Sequence, residues 1–333
     1  MKTLFKYQKN FIFAALCLIV FGTPITVSSE SPVDVYIAGS DGIDDMGRFF
    51  FWKNGIQTLA GTMGGYASSV FVSGNDIYIA GSENEHGSSS GDVARLWKNG
   101  VLQTLEDYGR FANSVFVSGG DVYVAGTVWS EDGSHNNAVL WKNGIAQTLG
   151  MGSGNSVFVH GNDVYVAGLT GNWSNSSAVL WKNGSIQNLG HGQAHYVFVY
   201  GSDVYVAGFT GDLNNSTAVL WKNGTAQNLR RGQARSVFVH DNDVYVAGFT
   251  GDWNNSTAVL WKNGAAQNLG QGQAHSVFVY GSDVYVAGYT GDWNNSTAVL
   301  WKNGTAQTLR LPEEGWGGGR TGRANSVFVV PRL

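Results

Sequence analysis

Three short polar segments of the chain each contain a single tryptophan, a combination that suits the binding of a sugar. The segments are residues 170–177, 250–257 and 290–297, and they otherwise consist of Thr, Gly, Asp, Asn and Ser. An indole ring stacks on the apolar face of a pyranose, while carboxylates and amides bond its hydroxyl groups. The predicted ligand-binding residues are Trp173, Trp253, Trp293, Asp252, Asp292, Asn254 and Asn294. The alternative is that each tryptophan folds over its own strands as a lid on the core.

A second group of polar residues stands two positions before each of seven Val-Phe-Val motifs. We expect these side chains to ring a central channel, where they could hold an anion or a polar ligand, or simply line a water-filled rim. The group comprises His195, Arg235, His275, Asn113, Asn155, Asn325 and Ser68. Because the cation of Arg235 stands between the two histidines and would repel a metal ion, no metal site is predicted, and no cofactor is expected.

Repeats as alike as these supply the same groups many times over, whereas catalysis needs an asymmetric set. The only cysteine, Cys17, lies in an N-terminal apolar stretch that is expected to be removed, so no thiol nucleophile is expected in the remaining chain. Adjacent carboxylates such as Asp44 and Asp45 are typical of a solvated loop. No catalytic residue is therefore predicted. The alternative is a lyase or hydrolase with one axial site at His195, Arg235 and His275, which rests on analogy between folds.

These residues recur because one unit of about 40 residues is written seven times. Each unit contains four short runs of β-branched and aromatic residues separated by turn residues, which predicts four strands. The Asn-Gly pair of a recurring Trp-Lys-Asn-Gly block is favoured in a two-residue type I′ turn, so strands three and four form a tight hairpin. The block begins at Trp52, Trp97, Trp141, Trp181, Trp221, Trp261 and Trp301.

Composition agrees with a turn-rich β protein. The 333 residues include 47 Gly and 4 Pro, and only 13% are charged. A single cysteine excludes an internal disulfide. The formal net charge of −4 and the absence of basic runs exclude the electrostatic footprint of a nucleic-acid-binding protein.

Seven four-stranded meanders with both faces covered predict an all-β fold, a seven-bladed β-propeller of antiparallel blades over residues 30–333. The chain enters at a second strand, residues 34–39, and ends with an orphan first strand, residues 326–330, so the C-terminal strand would complete the N-terminal blade. This closure resembles that of Kelch-repeat and WD-repeat propellers in architecture only. The repeats lack the double glycine of Kelch blades and the Trp-Asp ending of WD blades, so the resemblance implies no function.

The N-terminus has the layout of a secretory signal peptide. Three lysines precede an apolar stretch at residues 11–21, and a polar segment follows, with cleavage expected after Ser29. Residues 1–29 are therefore expected to be removed, leaving a protein that is secreted, periplasmic or on the cell surface. The apolar stretch is itself too short for a spanning helix, and no other segment approaches eighteen consecutive apolar residues.

Taken together, the sequence predicts a secreted, non-enzymatic, monomeric binding module. Its leading version is a multivalent, lectin-like binder of glycans, in which similar blades present weak sites that gain strength by avidity. An extracellular protein-binding scaffold is the first alternative, and the lyase or hydrolase with a single axial site is the second.

Overall fold

A computed structural model of the chain describes residues 33–41, 48–63, 65–84, 92–106, 109–172, 175–252, 255–292, 294–311 and 321–332. The predicted signal peptide, residues 1–29, lies outside the described residues. The described part is nearly all strand, with one three-residue 3-10 turn at Leu213–Asn215. None of its helical structure has the length or apolar character to cross a bilayer.

Short antiparallel strands joined by tight turns account for this part of the chain. In chain order they are β1 (Val33–Asp41), β2 (Arg48–Lys53), β3 (Ile56–Met63), β4 (Gly65–Ser73), β5 (Asp76–Asn84), β6 (Asp92–Lys98), β7 (Val101–Gln103), β8 (Gly109–Ser118), β9 (Asp121–Trp129), β10 (Asn136–Lys142), β11 (Ile145–His160), β12 (Asp163–Asn172), β13 (Asn175–Lys182), β14 (Ser185–Tyr200), β15 (Asp203–Thr210), β16 (Thr217–Lys222), β17 (Thr225–His240), β18 (Asp243–Asp252), β19 (Asn255–Lys262), β20 (Ala265–Tyr280), β21 (Asp283–Thr290), β22 (Thr297–Lys302), β23 (Thr305–Thr308) and β24 (Gly322–Pro331).

Four of these strands, β11, β14, β17 and β20, are 16 residues long and serve two sheets each. The first half of β14 pairs with β13, and its second half pairs with β15. The sequence predicts two separate strands and a loop at this point. The chain instead stays hydrogen-bonded to its neighbours through the bend, where Gly192 adopts a φ of 133° that other residues rarely reach.

The C-terminal strand completes the N-terminal sheet, whose order is β24-β1-β2-β3. Its register with β1 runs from Val33↔Pro331 to Asp41↔Gly322, and the Arg332 guanidinium donates to Asp34 Oδ1 at 2.9 Å. The inner strands of successive sheets contact one another in a cycle that runs through β24, β4, β8, β11, β14, β17 and β20 and returns to β24. The described strands form no closed hydrogen-bonded sheet. Neighbouring sheets instead pack face to face around the cycle. The predicted all-β propeller fold is confirmed.

The core lies between neighbouring sheets. Trp221 is 1% exposed and packs with Tyr165 and Leu180 of the preceding sheet. Its indole N–H donates to the Leu189 carbonyl at 3.2 Å, which ties the two sheets together. The other tryptophans of the repeated block are buried in the same way, so they are structural residues.

A cluster of four side chains stabilises each hairpin at the repeated Asn-Gly turn. Lys222 Nζ lies 2.7 Å from Asp203 Oδ2 and 5.3 Å from the centre of the Tyr205 ring. Asn223, at φ 51°, donates from Nδ2 to Asp203 Oδ1 at 2.8 Å. The hydrogen bond and charge of Lys222 lower the pKa of Asp203, and the same contact raises the pKa of Lys222. The lysine–aspartate pairing is present in every repeat.

Candidate axial site

The predicted axial residues all occupy the same backbone feature, a β-bulge in the inner strand. The register between β14 and β15 shifts between Ala194 and Tyr196, so His195 is the extra residue that has no cross-strand partner. Equivalent shifts occur at the other six positions of the set. Bulges aim a side chain away from the sheet and are common next to active sites. We call the set Ser68, Asn113, Asn155, His195, Arg235, His275 and Asn325 the polar ring.

Side chains of the polar ring reach from one inner strand to the next. Asn155 Nδ2 donates to the Ala194 carbonyl at 2.9 Å, and His195 Nδ1 lies 2.9 Å from the Ala234 carbonyl. Because a carbonyl oxygen can only accept, Nδ1 of His195 carries the proton and Nε2 keeps a free lone pair. These bonds run around the ring rather than across it.

The polar ring is electrostatically one-sided. Burial and the charge of Arg235 lower the pKa of His195 to about 3. Burial and the charges of Arg235 and Arg323 likewise lower the pKa of His275 to about 3. Burial lowers the pKa of Arg235 only to about 10, so its guanidinium stays charged at neutral pH. Two neutral imidazoles therefore flank a cation, while the other four positions carry amides or a hydroxyl.

Aromatic side chains of the second strands support the charged half. Arg235 lies 5.6 Å from the centre of the Phe249 ring, and Arg323 lies 5.5 Å from that of Tyr289. The imidazole of His275 meets Tyr289 edge-on at 5.5 Å. The sequence reasoning missed Arg323 and Tyr289. The available signal was that Arg323 stands where three other repeats have glutamine, and Tyr289 where two have phenylalanine.

Further along the same inner strands, seven phenylalanines form a closed cycle of ring contacts within the described residues. Neighbouring ring centres are 4.6 to 5.0 Å apart. We call this set the phenylalanine ring: Phe71, Phe116, Phe158, Phe198, Phe238, Phe278 and Phe328. The sequence reasoning used Val-Phe-Val only as a repeat marker. It missed that one phenylalanine per innermost strand must meet its counterparts around the axis.

The loop candidates are described only in part. Trp173, Trp253, Trp293 and Asn254 lie outside the described residues. Asp252 Oδ1 is 2.7 Å from an Nη of Arg231, so this carboxylate is held in an ion pair. Asp292 Oδ1 accepts backbone N–H groups of Asn294 and Asn295 at 2.9 and 2.8 Å, which caps its own turn. Asn294 is exposed.

One further loop, at residues 129–135, contains residue types that could do chemistry. Arg110 stacks on Trp129, with its guanidinium carbon 4.5 Å from the ring centre. Ser134 Oγ lies 2.7 Å from Asp132 Oδ1 and 2.9 Å from His135 Nδ1. A nucleophilic triad needs the histidine between the serine and the carboxylate. Here the serine is in the middle and exposed, so this cluster is a loop-stabilising network.

No three His, Cys, Asp or Glu side chains converge on a common point within the described ranges. The axial chemistry therefore has to come from imidazole, guanidinium, amide and phenol groups.

The chain matches no family model and no curated protein. Among solved structures, the uncomplexed acylaminoacyl peptidase of Pyrococcus horikoshii covers 84% of this chain and 50% of its own, with a TM-score of 0.50 and 11% identity. The β-propeller domain of the Trilobed protease from Pyrococcus furiosus covers 74% of this chain and 84% of its own, with a TM-score of 0.43 and 8% identity. A Bombyx mori GH32 β-fructofuranosidase mutant in complex with sucrose covers 78% and 83%, with a TM-score of 0.38 and 9% identity. The chain thus spans about half the length of the peptidase that it matches, and identity at this level establishes the fold alone.

The predicted non-enzymatic function is wrong. The acylaminoacyl peptidase that shares this fold is a hydrolase, which contradicts a lectin-like, carbohydrate-binding or Kelch-like module. The physical reason lies at the axis. The sequence argument treated the repeats as equivalent, whereas His195, Arg235 and His275 make three adjacent inner strands different from the other four.

Proposed function

We propose that this chain is a propeller hydrolase with a single active site at the polar ring, formed by His195, Arg235 and His275. The observation that carries the proposal is the one-sided ring, in which enclosed neutral imidazoles lie beside an enclosed guanidinium. Groups whose environments push their protonation states apart are typical of acid–base sites. The hydrolase names of the similar structures agree with this choice of reaction class.

His195 is suited to act as the general base. Its Nδ1–H is held by the Ala234 carbonyl, which fixes the tautomer and leaves Nε2 as the acceptor. The neutral imidazole can take a proton from water as the water oxygen attacks an acyl carbon, and can return it to the leaving group. An imidazole with so low a pKa is a weak base, but an anionic substrate beside Arg235 would offset the cation and raise that pKa.

Arg235 is suited to stabilise negative charge that develops on the substrate. Its guanidinium is enclosed by protein, and interactions with a developing oxyanion are stronger in such a setting than in water. His275 is placed symmetrically on the far side of Arg235, one inner strand further around the ring. It can orient the same substrate group by hydrogen bonding.

The test is hydrolysis of a panel of p-nitrophenyl esters and anilides by the native protein and by two single variants, Arg235→Gln and His195→Asn. Asparagine is chosen to replace His195 because Asn155, at the equivalent position, makes the same bond to the next inner strand that His195 makes. Asn113→Ser is the matched control, because Ser68 already occupies a polar-ring position. The absence of hydrolysis across the panel, with the fold intact, would overturn the proposal.

A further inference from the structure

We infer that the axial site accepts a small amphipathic carboxylate, with its apolar end on the phenylalanine ring and its carboxylate at Arg235 and Arg323. The inference rests on the proposed function for the identity of the reactive site and names the class of substrate: an ester or amide that carries an aromatic or branched aliphatic group together with an anionic group. Four features of the described residues support it.

The first feature is an apolar floor. The seven phenylalanines are half-buried and contact one another around the whole cycle at 4.6 to 5.0 Å between centres. The cycle therefore forms a continuous collar of aromatic carbon around the axis. An aromatic or branched group entering from the polar ring would contact the phenylalanine rings.

The second feature is the stretch of the inner strands between the polar ring and the phenylalanine ring, which we call the wall. Its serine hydroxyls already accept hydrogen bonds from the neighbouring strand. Ser156 Oγ accepts the backbone N–H of Val197 at 3.2 Å, and Ser236 Oγ accepts that of Val277 at 3.2 Å. Four further serines at equivalent positions make the same bond. These hydroxyls are held against the neighbouring strand. In one sheet Tyr196 replaces the serine and adds a large, half-buried phenol to one side of the wall.

The third feature is the distance along the inner strands between the charged residues of the polar ring and the phenylalanine ring. His195 and Phe198 are three residues apart on one strand, as are Arg235 and Phe238, which corresponds to about 10 Å. Both Arg235 and Arg323 lower the pKa of His275, so both guanidiniums lie close to that imidazole. A ligand must therefore separate its carboxylate from its apolar end by a similar distance to use both layers.

The fourth feature is a set of buried amides beside the charged half. Gln233 is 1% exposed, and neither its Nε2 nor its Oε1 has a protein partner in the described part of the chain. Gln273 Oε1 and Gln193 Nε2 likewise have no protein partner among the described residues. Each glutamine stands in register opposite the aromatic residue behind the ring, as Gln233 does opposite Phe249. Buried amides without partners are costly, so a water molecule or a ligand's polar group that reached these atoms would gain hydrogen bonds.

The test is isothermal titration calorimetry with sodium 4-phenylbutyrate, 4-phenylbutanol and sodium butyrate. We expect one site per chain for 4-phenylbutyrate and at least tenfold weaker binding of the other two, which lack either the carboxylate or the ring. Arg235→Gln should remove the preference for phenylbutyrate over phenylbutanol. Arg231→Gln, which removes an exposed guanidinium outside the site, should leave it unchanged.

A second variant separates the floor from the charge. Phe238→Leu keeps an apolar side chain but breaks the aromatic cycle, and it should weaken phenylbutyrate while leaving butyrate unaffected. Equal binding of the three compounds, several sites per chain, or no effect of Arg235→Gln in a folded protein would overturn the inference. Binding as expected without hydrolysis of any ester would overturn the proposed function alone, and hydrolysis without preference for aromatic anions would overturn the inference alone.

Discussion

At the scale of single residues, the unusual groups are the two axial histidines. They are enclosed near cations, which disfavours their protonated forms, and each bonds through its ring to the carbonyl of the next inner strand. Asparagine makes the equivalent bond at three other ring positions, so a histidine is not required to hold the strands together. The histidines therefore carry a cost in stability that the fold could avoid.

This cost predicts a specific dependence of stability on pH. In the unfolded chain each imidazole takes up a proton near pH 6.5, whereas in the folded protein His195 and His275 do so near pH 3. Between these values the unfolded state binds more protons, so stability falls as the pH falls. We expect each histidine to contribute about 2.7 kcal/mol of this loss at pH 4.5.

The measurement is the free energy of urea unfolding at several pH values between 7 and 4.5. The double variant His195→Asn/His275→Asn should show a flatter profile than the native protein. A profile of the same slope would show that these imidazoles titrate normally. His160 is exposed and lies outside the polar ring, so His160→Asn is the matched control and should leave the slope unchanged.

The polar ring could be located from the sequence because its members keep a fixed distance from Val-Phe-Val. Their placement on bulges could not be predicted. A bulge depends on the hydrogen-bond register between two paired strands, and the residue spacing along one strand does not specify that register. The asymmetry was visible in the residue types. It was discounted because the flanking residues are so alike.

At the scale of elements, the bulge depends on a glycine in the second strand. Gly208 pairs with Ala194 beside the bulge, and a Cβ at Gly208 would collide with the Gln193 carbonyl and lie 2.9 Å from the Trp221 ring. The equivalent position is glycine in all seven repeats. The backbone of the inner strand therefore approaches this position so closely that only glycine, which has no Cβ, fits there.

We expect Gly208→Ala to destabilise the protein by at least about 2 kcal/mol, because backbone atoms rather than a flexible side chain would have to move. The matched control is Gly154→Ala. Gly154 stands where the other six repeats have alanine, and the nearest atoms to an added Cβ are 3.3 Å away, so its effect should stay within about 1 kcal/mol. Chemical denaturation compares the two, and similar losses from both would contradict this account of the bulge.

At the scale of the whole molecule, the chain ends are joined by the pairing of β24 with β1. Deleting residues 321–333 would remove an inner strand, break the phenylalanine ring at Phe328 and expose one face of two sheets. We expect the melting temperature to fall by more than about 10 °C. Deleting residues 332–333 removes the contacts of the half-exposed Arg332 with Asp34 and with the Val33 carbonyl, and should cost a few degrees at most.

Circular dichroism during heating measures both deletions. If the longer deletion melts like the full chain, the closure strand does not hold the propeller together. The architecture itself was predictable from seven repeats of similar length and from the position of the orphan strand. The function was not, because it depends on differences between repeats at the axis, where their side chains meet.

The most direct test of the central claim is the comparison of kcat/KM for ester hydrolysis between the native protein, Arg235→Gln, His195→Asn and the control Asn113→Ser. We expect the first two variants to lose at least about 100-fold while remaining folded, and the control to stay within about threefold. Equal rates in all four proteins, or equal losses in all three variants, would contradict an active site built from the charged half of the polar ring.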